Sequence, residues 1–441
     1  MIIPLFRLSQ SPDTVTLQIT AKYIKLKDLE LIVEGEEIFF YCKPYHLKLH
    51  LPGSLDSEIL NSKYDVDSGL LTFEMRKTTP GENFKNLDLI TRLLAPVEEK
   101  KKTDKILILD DEHNVLWEDT PETSFEYGFA MKGLYDFHRV IDEYGDIIKV
   151  DPRKIDIEER FKLMRLEECQ KFNADHYIAD FVEEESLIQE LVDLESPWSS
   201  KSKSSLEFDD SEIEILKNLS NKNYNLSEEQ RKYCYYSLID ILFAYCYDSR
   251  TTSFEGNSES GWTILEISAS LRWLIGFKDA KSTLLSAYRR SLIYPLYRNF
   301  NLCNKILSDL KTILALGVKG IVKCFLEIYN IFLSGDECRY ILNDIFIKDY
   351  LVYMAKWSEE EWNNVVKEVS DIVIDKKDLN MSLYEIERDF LTKVLQVNEL
   401  DSDDEVENEE EITKDLEKIF TEKLVLVEKE LELQKNPTST K

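Results

Sequence analysis

The chain has 441 residues, a net charge of −30 at neutral pH and 43% apolar residues, with 21 Phe and 22 Tyr. That length exceeds one ordinary hydrophobic core, so two or three domains are expected. So acidic a balance argues against nonspecific binding to nucleic acid or an anionic membrane, and points to a basic partner or to solubility alone. The charge is spread: residues 399–441 hold 15 acids against 6 lysines, a net of −9, and the preceding 398 residues keep −21.

Seven cysteines (Cys42, Cys169, Cys234, Cys246, Cys303, Cys324 and Cys338) are widely spaced with no Cys-x-x-Cys. This predicts an intracellular, reducing compartment without zinc or a disulfide framework. No cationic signal segment opens the chain and no apolar run reaches about 18 residues, so neither secretion nor a membrane span is expected. Only 13 glycines and five histidines occur, with no phosphate-cradling Gly-rich loop, no nucleophile elbow and no Cys/His metal spacing. No enzyme, cofactor or metal site is expected.

Residues 1–96 read as β. Apolar alternation recurs at 3–5, 15–19, 29–33, 38–41, 47–51, 59–66 and 70–75, separated by turn signals such as Glu34-Gly35-Glu36, Leu51-Pro52-Gly53 and Asp67-Ser68-Gly69. Seven short strands predict a small all-β antiparallel sandwich. The Tyr45-His-Leu-Lys-Leu-His-Leu-Pro52 run, followed by Asp67-Ser-Gly-Leu-Leu-Thr-Phe73, resembles a CS domain, an α-crystallin-like protein-interaction module. His46 and His50 have a zinc-like spacing for a helix, but on a strand they stand about 13 Å apart, so they are expected at a strand edge or surface.

Residues 97–105 form a charged linker, and 106–109 with 115–117 could make a short hairpin opening a second domain over 106–397. The segment Glu126-Tyr-Gly-Phe-Ala-Met131 is mostly apolar. From about Arg153 the pattern is helical. Residues 156–195 hold 13 acids against four bases, which is either a solvated helix face or a surface for a basic partner. Asp180, Glu183, Glu184 and Glu185 are the candidate partner-binding residues there. The Ser/Lys stretch at 197–205 is an exposed loop.

Ser227-Glu-Glu-Gln230 has the form of a capping box, with Cys234, Leu238, Ile241, Leu242 and Tyr245 behind it at helical spacing. Ser358-Glu-Glu-Glu361 repeats the signal before Trp362, Val365, Val366, Val369 and Ile372. Between them lie five further helical stretches, a multi-helix domain of hairpins. Within it Tyr288-Arg-Arg-Ser-Leu-Ile-Tyr-Pro-Leu-Tyr-Arg-Asn-Phe300 is conspicuous. Pro295 must kink or end its helix near Ser291. In an acidic host, Arg289, Arg290 and Arg298 are expected to serve the domain's own carboxylates.

Several blocks together resemble one family. They are Tyr177-Ile-Ala-Asp-Phe181, Leu238-Ile-Asp-Ile-Leu-Phe-Ala-Tyr-Cys-Tyr-Asp-Ser-Arg-Thr-Thr252, Arg289-Arg-Ser-Leu-Ile-Tyr-Pro-Leu-Tyr-Arg-Asn-Phe300 and Tyr340-Ile-Leu-Asn-Asp-Ile-Phe-Ile-Lys-Asp-Tyr350. Following a CS-like domain, they look like the family-specific helical domain of the eukaryotic H/ACA ribonucleoprotein assembly chaperones. The resemblance implies a non-enzymatic protein that binds the free dyskerin-type pseudouridine synthase, masks its RNA-binding surface as an acidic RNA mimic, and binds no nucleic acid itself. It also implies a nuclear protein with a cytoplasmic pool, monomeric before it meets its partner. A CS-domain adaptor linking a general chaperone machine to clients is the alternative.

The tail, 398–441, lies outside that resemblance. Residues 399–411 have nine acids and no base, so disorder is expected. Beyond them Ile412, Leu416, Ile419, Phe420, Leu424, Val427 and Leu431 predict an amphipathic helix over 412–434, which could dock on the parent domain, capture a partner helix or stay loose.

Overall fold

A computed structural model describes residues 3–94, 126–133, 145–182, 187–335, 339–400 and 421–429, apart from 22, 23, 25–28, 44, 66, 67, 220, 221, 223, 295 and 422. The linker, the hairpin expected at 106–117, Glu183, Glu184, Glu185, Pro295, Cys338 and the run at 401–411 lie outside the described residues.

The N-terminal part is a five-stranded antiparallel sheet in the order β1-β2-β5-β4-β3. Its strands are β1 (Leu5–Gln10), β2 (Thr14–Thr20), β3 (Glu30–Cys42), β4 (Tyr45–Asp65) and β5 (Leu70–Lys77). The seven expected strands become five because two turn signals are not chain reversals. Gly35, at φ 60°, sits in a register shift inside β3, and Pro52-Gly53 lies inside the 21-residue β4. A bulge and a bend keep the ladder running where a turn would end it. Alternate residues point inward: Val15, Leu17 and Ile19 on β2, Leu47, Leu49 and Leu51 on β4, and Leu71, Phe73 and Met75 on β5 are all buried. The β3 and β5 side chains meet there, with the Phe40 and Phe73 ring centroids 6.4 Å apart. His50 pairs with Glu37 across the β3–β4 ladder and lies, half-exposed, 3.6 Å from Glu36.

The rest is helical. The short α1 (Ile90–Leu93) leaves the sheet, and α2 (Ile157–Lys171), α3 (Ala174–Val182), α4 (Leu187–Asp193) and α5 (Asp210–Asn218) follow. The central helix is α6 (Glu228–Thr251), surrounded by α7 (Ser260–Ile267), α8 (Ala269–Arg272), α9 (Ala280–Ser291), α10 (Phe300–Ala315) and α11 (Val318–Ser334). A π-helical turn, Asn343–Ile347, runs into α12 (Lys348–Tyr353), and α13 (Glu359–Ser370) and α14 (Leu383–Leu400) complete the body.

Local chemistry explains α6. Ser227 accepts from the Gln230 amide at 3.2 Å and Gln230 Oε1 accepts from the Ser227 amide at 3.0 Å, closing the capping box. From Tyr233 to Arg250 every residue is buried, so the helix is core on all sides over about 27 Å. Leu238, Ile241 and Leu242 are wholly enclosed, and truncating any one to alanine costs about 2–5 kcal/mol. The aromatic segment at 126–131 is also core. Phe129 is packed by Tyr224, Tyr350 and Tyr353, on a backbone where Gly128, Ala130 and Met131 all take positive φ.

Sheet and helices share one continuous apolar core. Polar contacts pin the junction. Arg7 pairs with Asp210 at 2.6 Å, Lys217 Nζ donates to the Ile3 carbonyl at 3.1 Å, Thr91 Oγ1 donates to the Leu351 carbonyl at 3.2 Å, and Lys319 pairs with Asp88. A cleft of about 750 Å³ remains between the two parts, with Phe84 on one wall and Trp357 and Trp362 on the other.

Candidate partner-binding surface

The acidic stretch at 156–195 folds into α2, α3 and α4, and its carboxylates divide into two groups. One group is internal. Asp180, on α3, accepts from the Arg298 amide at 2.7 Å and lies 3.4 Å from Arg298 Nη1, with its side chain mostly covered. It therefore holds the loop after α9 in place. Glu167 is bridged by Lys149 and Lys171, and hydrogen bonds from Lys171 and Lys149 outweigh its burial and lower its pKa. Glu168 is completely enclosed.

The other group faces water. Glu158 on α2, Asp175 on α3, Glu190 on α4 and Glu195 after it are exposed and form no ion pair among the described residues. They are indistinguishable in the sequence from the internal carboxylates beside them. Of the four sequence candidates, Asp180 is the one the structure describes, and it is already engaged.

The arginines of 288–300 are internal, as expected. α9 ends at Ser291, one turn before Pro295. Arg289 Nε donates to Glu168 Oε2 at 2.8 Å, and Arg165 Nη1 donates to the same oxygen at 2.8 Å. Arg290 has no exposed surface. Its Nε donates to the Glu266 carbonyl at 2.7 Å, its terminal nitrogens lie 3.9 Å from Glu168 and 3.6 Å from Glu266, and its guanidinium covers the Tyr294 ring at 4.7 Å. Arg272 completes the network, 2.8 Å from Glu266. Burial pulls the Arg165 and Arg272 pKa values down while the facing glutamates oppose the shift. A separate bidentate pair joins Arg250 to Asp309 at 2.5 and 2.8 Å. Planar, weakly hydrated guanidinium suits such dry, forked pairing better than lysine. Since these cations and carboxylates offset each other inside, the net negative charge sits on the surface.

The tail returns to this region. Residues 423–429 are helical, and Val427 is buried in a small cluster with Phe181 of α3 and Tyr384 and Leu391 of α14, with Leu424 packed against it. Of the three fates open to the tail helix, its described part docks on the parent domain.

An acidic body, an N-terminal antiparallel sheet and a helical domain with buried arginine–carboxylate pairs define a two-part architecture of the CS-plus-helical type. Two family models match the chain: "SHQ1-like, CS domain" over residues 3–94 and "SHQ1 protein, Shq1 domain" over residues 197–383. The chain is 34% identical over 420 residues to the SHQ1 homolog of Xenopus tropicalis, covering 88% of this chain and 69% of that one. It is 32% identical over 430 residues to the mouse SHQ1 homolog, covering 88% and 75%. It is 31% identical over 438 residues to shq1 of Schizosaccharomyces pombe, covering 88% and 96%. The chain belongs to the SHQ1 family, the H/ACA assembly chaperones that its sequence resembles. Three of the four resembling blocks fall within the Shq1-domain match, whereas 177–181 and the acidic stretch around it lie between the two matched regions.

Proposed function

We propose that this protein is a non-enzymatic assembly chaperone that binds the RNA-free, dyskerin-type pseudouridine synthase of box H/ACA particles. It masks the synthase's basic RNA-binding surface as an acidic RNA mimic, and so prevents aggregation and premature RNA binding. It works as a monomer, in the nucleus with a cytoplasmic pool, and contacts no nucleic acid itself.

The observation that supports this most is the distribution of charge. Arg250, Arg272, Arg289 and Arg290 of the helical domain are buried against carboxylates, while Glu158, Asp175, Glu190 and Glu195 are exposed and form no ion pair among the described residues. Such a surface attracts a basic partner over long range and gives fast, salt-sensitive association. The test is binding of the purified, RNA-free synthase at rising ionic strength, followed by competition with guide RNA. Affinity should fall steeply with salt, and guide RNA should displace the chaperone. A stable ternary complex in which RNA and chaperone share the synthase's RNA-binding face would refute the masking mechanism.

A further inference from the structure

The contact between residues 423–429 and the α3–α14 groove has three unusual properties. It is thin: Val427 is buried, Leu424 is half-buried, and on the other side Val425 and Leu426 are 57% and 60% exposed. The contact is also cationic. Lys423 Nζ stands 5.2 Å from the centre of the Phe181 ring, and Lys376 Nζ stands 5.9 Å from the same centre. Finally, Phe181 follows Asp180 on α3, and the ring stacks on Tyr177, whose hydroxyl donates to the enclosed Glu387. The groove therefore couples an apolar seat to a place where an ammonium meets an aromatic face.

We propose that the helix at 423–429 is a displaceable strap, with Lys423 standing in for a partner's cation over Phe181, and that a basic partner surface removes it on binding. This rests on the reading of the partner as basic. Lys376 stays in place because Glu387 holds it at 2.8 and 2.9 Å, whereas Lys423 is carried on the strap and leaves with it. The twenty residues between 400 and 421 can span up to roughly 66 Å, so release does not require α14 to unfold. The partner then meets Phe181, which shares a cluster with Val427 in the free chain, beside the partly buried Ile178 and Val182.

The test uses hydrogen exchange on the full chain and on Leu424→Ser/Val427→Ser. Without partner, the variant should exchange at least about tenfold faster over 423–429, and faster over 177–182, with an unchanged melting temperature of the body. Equal rates in both proteins would overturn the docking contact. With the RNA-free synthase added, the wild-type chain should lose protection over 423–429 while gaining it over 177–182, and the variant should associate several-fold faster. Binding with protection at 423–429 retained would refute the strap and leave the proposed function standing. Absence of any binding would refute the proposed function and partner-driven opening together, with the variant's faster exchange still marking the docking contact as structural.

Discussion

Glu168 is the residue whose loss should damage the protein most for the least change in shape. Its carboxylate has no exposed surface, and three arginines converge on it: Arg165 and Arg289 at 2.8 Å and Arg290 at 3.9 Å. Glu168→Gln keeps the volume but removes the charge. Arg165, still partly exposed, can turn toward water, whereas Arg289 and Arg290 cannot. Leaving buried cations uncompensated costs about 3–5 kcal/mol. Arg290→Met is the contrasting change. It removes one charged hydrogen bond to the Glu266 carbonyl and two longer ion pairs, but Glu168 keeps Arg165 and Arg289, and Glu266 keeps Arg272. Its cost should be nearer 2–3 kcal/mol. Urea unfolding followed by far-UV circular dichroism measures both, with an unchanged slope confirming that stability alone has moved. Affinity for the proposed synthase partner, measured on the folded fraction, should stay within about twofold for both variants. A Glu168→Gln protein within about 1 kcal/mol of wild type, or one more stable than Arg290→Met, would show that the network is not held by the shared carboxylate.

Asp240 is enclosed in α6, accepting from Ser268 Oγ at 2.6 Å and the Ser270 amide at 2.8 Å, and burial pushes its pKa up to about 6 against those hydrogen bonds. A raised folded-state carboxyl favours the fold below about pH 4 and loses that contribution as pH rises through about 6. Relative to wild type, Asp240→Asn should therefore gain about 3 kcal/mol between pH 4 and pH 7, read from melting temperature against pH. Ser227→Ala opens the capping box and should cost about 1 kcal/mol in the same urea assay, with no effect of adding salt. An isolated 1–96 fragment should self-associate in analytical ultracentrifugation, because Ile90, Leu93 and Leu94 are buried at or beside the junction with the helical body. A monodisperse, fully folded fragment would contradict the packed junction.

The parts of the fold legible in the sequence are those whose chemistry is local. Both Ser caps, at Ser227 and Ser358, and the end of α9 before Pro295 follow from side chains within one turn of the backbone they satisfy. The β alternation was legible for the same reason, but Gly35 and Gly53 mark bulge and bend as readily as they mark a turn, and only pairing across the sheet distinguishes them. The Phe84 ring lies where a side chain at Gly53 would stand, a long-range reason for that glycine. The internal carboxylates were not legible. On α2 the enclosed face is Arg160, Met164 and Glu168, spaced four apart, so two of its three inward residues are charged and no apolar stripe records the face. Glu167 and Glu168 are neighbours of identical chemistry, and the difference in their burial is set by α9, more than a hundred residues away.

That hidden set has a functional consequence. Of the 15 arginines in the chain, Arg160, Arg250, Arg272, Arg289, Arg290 and Arg339 are all buried, while lysines supply most of the exposed cations. Arginine on the outside would hold surface carboxylates in forked pairs and withdraw them from a partner; lysine, strongly hydrated and monodentate, competes less well. Arg7, Arg231 and Arg388 do pair with surface carboxylates, but the six buried guanidiniums do not, and Glu158, Asp175, Glu190 and Glu195 form no ion pair among the described residues. The core tolerates so many charges because its guanidiniums are partnered inside: Arg250, Arg272, Arg289 and Arg290 by carboxylates, and Arg160 by the Leu274 and Glu126 carbonyls. Fold and surface charge are coupled in this way, since losing the carboxylate of a buried pair strands its cation and weakens the core.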